Sequence, residues 1–221
     1  MLRQVDAKLF PASCELYLNI VNKRPGAAEE TTVVYLVRRN GEQMASLVVA
    51  PEELKGQAIL RLGEKLWIRR PSQVDADPIP PSHSLLGGVI NNSDLLPWDL
   101  HREYRAEVQE ENDARVTLTL HPRQPDNPYK KLLMLVDARL MIPTEIQYFS
   151  ASGQFLKTMF VTERRKFWEQ PPRPTTMRFV SALNPGYETT LSVGVMKLRE
   201  FPESAFTIRN LGRIGLLMLD E

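Results

Sequence analysis

Three histidines, one cysteine and a pair of aspartates are the side chains whose types could support metal, nucleophilic or acid–base chemistry. His83, His101 and His121 are scattered and lack ligand spacing such as HxxxH; His101, followed by Arg102 and Glu103, reads as a solvated turn residue. Asp94 and Asp99 could in principle do acid–base work, yet both read better as caps and surface groups around a short helix. No serine lies in GxSxG, and Leu86-Gly87-Gly88 matches no phosphate-binding glycine pattern. Arg69-Arg70 beside Trp67, and Arg164-Arg165-Lys166 beside Phe167 and Trp168, carry the charge and rings that single-stranded nucleic acid needs. Alternating charges on the outer face of a strand are the commoner origin of such clusters. The expectation is a protein that performs no chemistry and takes no cofactor, metal or nucleic acid.

The composition fits that expectation. With 43% hydrophobic and 25% charged residues the chain can build a substantial core, and a net charge of +1 provides no field toward nucleic acid or an anionic membrane. Cys14, the single cysteine, excludes an internal disulfide and a thiolate metal cage. No apolar run approaches the roughly 18 residues of a membrane span. The opening MLRQVDAKLF has no signal-peptide apolar core, which leaves a cytosolic protein or one whose leader has been removed. Pro11-Ala12-Ser13-Cys14 has the look of a lipoprotein cleavage site without the upstream hydrophobic segment, so Cys14 is read as a buried strand residue.

The elements follow from periodicity and turn chemistry. Leu2, Val5 and Leu9 share one side of a short helix ended by Pro11. From Ser13 the period changes to two, with Cys14, Leu16, Leu18 and Ile20 on one face. Strands at 31–39 and 43–50 meet at Asn40-Gly41, and strands at 58–62 and 66–70 meet at Gly63-Glu64-Lys65. Further strands are expected at 104–110, 115–120, 131–136, 143–150, 154–167, 175–183 and 187–197, with 171–174 a proline-rich linker or edge device. Residues 203–211 should pack back on the sheet, and the tail after Gly212 has no assigned place. About ten strands in hairpin order predict a mainly β fold with a small α contribution. It is a curved antiparallel sheet forming an incomplete barrel under a short helical lid, in one domain spanning 1–221.

The lid is the insertion at about 82–103. Leu85, Leu86, Leu95, Leu96, Trp98 and Leu100 stand close to Gly87, Gly88 and turn formers, which suits a mobile flap over a cavity. A short helix sealing an ordinary core would present the same pattern, and is the more common occurrence.

A family resemblance bears on this choice. Residues 54–61, reading LKGQAILR, and 66–71, reading LWIRRP, resemble paired segments of the LolA-like outer-membrane lipoprotein-sorting proteins. Ser93-Asp94-Leu95 and Asp99-Leu100 resemble the segment that follows there. Tyr129, Val136-Asp137, Ile142-Pro143-Thr144-Glu145, Ser152-Gly153 and Leu156-Lys157 continue the track, so that the resemblance runs from about residue 10 to 208. Leu96-Pro97-Trp98-Asp99 departs from the family's usual Ser-Tyr-Glu-Asp, and residues 85–90 are more apolar than expected there. The resemblance implies an exported, periplasmic carrier that shields acyl chains of a lipid or acylated lipoprotein and passes them toward the outer membrane.

On that reading the expected ligand-binding side chains are Leu60, Leu62, Leu66, Trp67, Ile68, Leu85, Leu86, Leu95, Leu96, Trp98 and Leu100. Leu60, Leu62, Leu66 and Ile68 would face inward together, Trp67 would sit at the rim or under the flap, and Gly87 and Gly88 would act as the hinge. The alternative is a non-catalytic periplasmic sensor or accessory module that binds a protein partner such as an inner-membrane transporter; a cytosolic adaptor is a third.

Overall fold

The computed structural model describes residues 1–27, 29–95, 99–168 and 170–213. The chain opens with helix α1 (Leu2–Leu9), whose buried residues are Leu2, Val5 and Leu9. Eight residues are too few for a helix to persist alone; three apolar side chains at about 1.5–3 kcal/mol each hold it to the sheet. Strands β1 (Ser13–Lys23), β2 (Thr31–Asn40), β3 (Gln43–Ala50), β4 (Ala58–Leu62), β5 (Lys65–Arg69) and β6 (Asp77–Ile79) then form one meander. After a long strap and the short helix α2 (Leu100–Glu103), a second meander begins. It contains β7 (Tyr104–Glu111), β8 (Arg115–Pro122), β9 (Lys131–Asp137), β10 (Ile142–Phe149), β11 (Phe155–Arg165), β12 (Arg173–Ser181) and β13 (Glu188–Leu198).

The two meanders join where β13 pairs with β1, giving a single thirteen-stranded antiparallel sheet. Its ends are β6 and β7, which are neighbours in sequence but do not pair, so the sheet curls into an incomplete barrel with one open seam. Residues 80–95 and 99–103, between the two edges in sequence, lie over the inner face.

One strand is present beyond the twelve that the sequence pattern placed. The Asp77–Ile79 strand lies in the proline-rich run; it is tolerated because β6 is an edge, where Pro78 forfeits no ladder bond in the sheet interior. Arg173 and Pro174 open β12 rather than forming a linker, and Pro174 is accommodated at an irregularity in the β11 ladder.

Two apolar clusters sit on opposite sides of the sheet. The inner one takes Leu16, Leu18 and Ile20 from β1, Tyr35 from β2, Met159 from β11 and Phe179 from β12, together with α1 and the strap. The outer one is smaller: Phe201, Phe206 and Leu211 of the C-terminal segment cover Ala45, Ala58 and Leu60. Residues 203–211 thus pack back on the sheet, with short 3-10 turns at Glu203–Ala205 and Leu211–Arg213.

The outer cluster corrects the expected facing of the β4–β5 hairpin. Its two-residue turn, Gly63-Glu64, pairs Leu62 with Lys65, Leu60 with Trp67 and Ile59 with Ile68. Directly opposed residues share a face. Leu60, Leu62 and Trp67 therefore belong to the outer cluster, whereas Leu66 and Ile68 turn inward with Ile59. A pairing one residue different would instead have put Leu66 and Ile68 on the same face as Leu60 and Leu62.

Candidate functional site at the strap and the open seam

The short helical cover is built in pieces. After β6 it makes a tight loop closed by a Ser84–Asn91 bridge and by the Leu85 amide donating to Ile90 O at 2.8 Å. A 3-10 turn at Asn92–Asp94 follows, started by a reciprocal cap between Asn91 and Asp94. The last piece is α2, capped by Asp99, which accepts from the Arg102 amide. A second cap comes from α1: the Asp6 carboxylate accepts from the Leu100 and His101 amides at 3.0 and 2.9 Å. Burial raises the Asp6 carboxyl to about 6 despite these two donors.

Leu85, Ile90, Leu95 and Leu100 drop from the strap into the inner core and are almost fully buried, and Leu86 packs against it less completely. They meet Leu66 and Ile68 there. Leu96 and Trp98 lie outside the described residues. Gly87 and Gly88, read from the sequence as a hinge, sit where the strap is bound most closely to the sheet. The Arg24 guanidinium donates to the carbonyls of Leu86 and Gly87 at 3.0 and 2.8 Å. The Val89 amide donates to Thr189 Oγ1 at 2.9 Å, and Thr189 in turn donates to Asn22 Oδ1 at 2.6 Å. A Cβ on Gly88 would lie 2.0 Å from that Asn22 oxygen, so glycine here permits close backbone approach.

The deepest tie is ionic. Asp94 is a cap, as expected, but it is buried rather than a surface group. Its Oδ2 accepts from the Asn91 amide at 2.7 Å, the Tyr129 hydroxyl at 2.7 Å and the Lys157 ammonium at 2.5 Å. Both side chains of the ion pair are 2% exposed. Lys157 also donates to Val89 O at 3.2 Å. Three rings surround the ammonium, with centroids at 5.0 Å (Tyr129), 5.0 Å (Tyr148) and 5.4 Å (Phe179). Burial pulls the Lys157 ammonium below its usual range while the Asp94 carboxylate opposes that shift; burial also holds the Tyr129 and Tyr148 phenols well above theirs. Lys157 was not among the expected site residues. The signal for it was its phase, since it alternates with Met159 on the inward face of β11.

Beside this pair, Ser93, Asp94, Tyr104, Tyr129 and Tyr148 line a cavity of about 30 Å³. A larger cleft of about 580 Å³ opens at the seam, where Leu62, Leu66, Trp67, Ile79 and Pro81 face Gln124 and Asp126 across the gap. Polar groups at its rim include Glu64, Lys65 and Arg102.

The remaining chemical candidates stay apart. His83 and His121 are exposed, His101 lies on α2 and accepts from Arg3 Nε at 2.8 Å, and Cys14 is buried on β1, where burial raises its thiol to about 11. Among the described residues no three His, Cys, Asp or Glu side chains are grouped to hold a metal. The arginine clusters are engaged in surface ion pairs: Arg70 with Asp77 and Arg165 with Glu163.

Comparison with known proteins bears on what this arrangement serves. A family model described as "Uncharacterized protein" matches residues 40–213. The structure is similar to a LolA superfamily protein from Nitrosomonas europaea, at 27% identity and a TM-score of 0.84, over 93% of this chain and 95% of that one. It is also similar to an outer membrane lipoprotein-sorting protein domain from Vibrio parahaemolyticus (17% identity, TM-score 0.83, 96% of each chain). A DUF1329 family protein from Desulfovibrio piger is a third (15% identity, TM-score 0.81, 95% of this chain and 94% of that one). The last two share the fold. No curated protein matches the sequence.

Proposed function

We propose that this chain, which belongs to the family whose model matches residues 40–213 and has the fold of a LolA superfamily protein, is a periplasmic carrier that binds the acyl chains of a lipid or lipoprotein and performs no chemistry on them. The observation that carries this reading is the strap. An apolar inner face is covered by four nearly buried strap side chains rather than by a closing strand, and the cover ends at an open seam with a cleft of about 580 Å³. In this reading Leu66, Ile68, Leu85, Leu86, Leu95 and Leu100 border the acyl path, while Leu62 and Trp67 stand at its mouth. Leu60, covered on the outer face by the C-terminal segment, is left out.

The energetics favour exchange over storage. A 16-carbon chain gains up to roughly 12 kcal/mol on full burial, at about 0.8 kcal/mol per methylene. Lifting Leu85, Ile90, Leu95 and Leu100 out of the core forfeits about 6–12 kcal/mol in total. A ligand that takes their place therefore binds with only a modest surplus, which suits a protein that must also release it. Transfer to an acceptor then amounts to the strap reclaiming its own site.

Purification from a periplasmic extract, organic extraction and mass spectrometry test the proposal. Lipid at near-equimolar ratio is expected. A protein that is lipid-free, that takes up no acyl probe, and that instead binds a protein partner would refute the carrier reading and favour an accessory module.

A further inference from the structure

An apolar carrier has no evident use for a lysine at the bottom of its core. Among the described residues Lys157 has two hydrogen-bond acceptors, the Asp94 carboxylate and Val89 O, and both belong to the strap. Its other neighbours include the rings of Tyr129, Tyr148 and Phe179. If the strap lifts to admit a ligand, as the carrier reading requires, both acceptors leave with it. The ammonium then remains in a desolvated aromatic recess without a counter-ion, which is strongly unfavourable. A ligand with a neutral head would leave that cost in place. A ligand that carries its own negative charge removes it.

We infer that Lys157 is the receptor for an anionic head group, a carboxylate or phosphate ester on an acyl chain, which takes the place of the Asp94 carboxylate when the strap opens. The surroundings are built to satisfy such a group. The Tyr129 hydroxyl, now donating to Asp94, is released as a donor by the same movement. Burial keeps both Tyr129 and Tyr148 protonated, so their phenols can donate to an oxyanion. Among the described residues the buried Ser93 hydroxyl has no hydrogen-bond partner and, with Tyr148, it lines the cavity of about 30 Å³ beside Asp94. The closed state thus holds a carboxylate in the place where an open state needs one, and Asp94 acts as an internal competitor.

The inference rests on the carrier reading, and the test separates the two. Dodecanoate, dodecyl phosphate, dodecanol and inorganic phosphate are titrated against the full chain at pH 7, following displacement of the neutral probe N-phenylnaphthylamine. Both anionic amphiphiles should bind at least about tenfold tighter than dodecanol. Asp94→Asn removes the competitor and should widen that ratio. The double variant Asp94→Leu/Lys157→Met buries no charge, so it should fold, and its ratio should fall to about one. Equal binding of dodecanol and dodecanoate by the native chain overturns the head-group role and leaves the carrier standing. Inorganic phosphate binding as tightly as dodecyl phosphate overturns it in favour of a free-anion site. If no dodecyl compound binds, the carrier reading falls and the inference with it.

Discussion

Replacing Gly88 by alanine sets two accounts of the strap against each other, because they predict opposite signs. The added Cβ would lie 2.0 Å from Asn22 Oδ1 and 2.8 Å from Thr189 Oγ1. Ordinary contacts begin at about 3.5 Å, so the strap must retreat by about 1.5 Å at this point. That movement breaks the Val89 amide bond to Thr189 and the Lys157 bond to Val89 O, which stand at 2.9 and 3.2 Å. One neutral hydrogen bond at about 1 kcal/mol and one charged bond at about 1.5–3 kcal/mol put the cost near 2–4 kcal/mol. At 1.4 kcal/mol per decade, the open strap becomes roughly 30- to 1,000-fold more populated. Hydrogen exchange of the Val89 and Ile90 amides should accelerate by that factor, and uptake of N-phenylnaphthylamine should quicken. Gly87→Ala is the control. There φ is +65° and the new Cβ meets the movable end of Arg24, so the expected cost is only about 1–2 kcal/mol of backbone strain. If Gly88→Ala instead protects those amides and slows uptake, glycine is serving as a flexible hinge and the close-approach argument is wrong.

Three further outcomes are expected. Lys157→Met and Asp94→Leu should each destabilise by about 3–5 kcal/mol, since each strands one buried charge, while the double variant should be near neutral; additive losses in urea denaturation would show that the pair is not coupled. Asp6 titrates at about 6 in the folded chain against 3.8 for the free group, so the folded state holds the extra proton between those values. Its contribution is therefore full below pH 4 and is lost as pH rises through 6, and Asp6→Asn should gain about 1–2 kcal/mol on the native protein from pH 4 to pH 7, after allowing for partial solvent screening; a flat difference would count against the burial of this cap. Cys14, fully buried with its thiol raised to about 11, should resist bulky thiol reagents in the native state, and Cys14→Ala should cost about 1 kcal/mol or less; fast native labelling would contradict its placement.

Much of the architecture was legible in the chain because it is local. Leu2, Val5 and Leu9 form one side of α1, the alternation from Cys14 to Ile20 marks the inner face of β1, and Asn40-Gly41 opens the β2–β3 turn. These follow from periods of 3.6 and 2 and from the backbone demands of a tight turn, none of which involves distant residues. The order of hairpins likewise announced an antiparallel meander, and the strap was recognisable as an apolar interruption between two runs of strands.

The site itself was decided elsewhere. Which face Leu60, Leu62 and Trp67 occupy depends on the register of one hairpin, and composition does not distinguish two registers one residue apart. That Asp94 is buried depends on Lys157, 63 positions later in the chain, arriving on the inward phase of β11. That Gly88 must lack a side chain depends on Asn22 and Thr189, which the β1–β13 pairing brings side by side from opposite ends of the sequence. Local patterns set which elements form, through backbone sterics and the burial of apolar stripes. Which charges become desolvated, and which backbones touch, is set only when a curved sheet brings remote strands together, because desolvation and close contact are properties of the assembled volume.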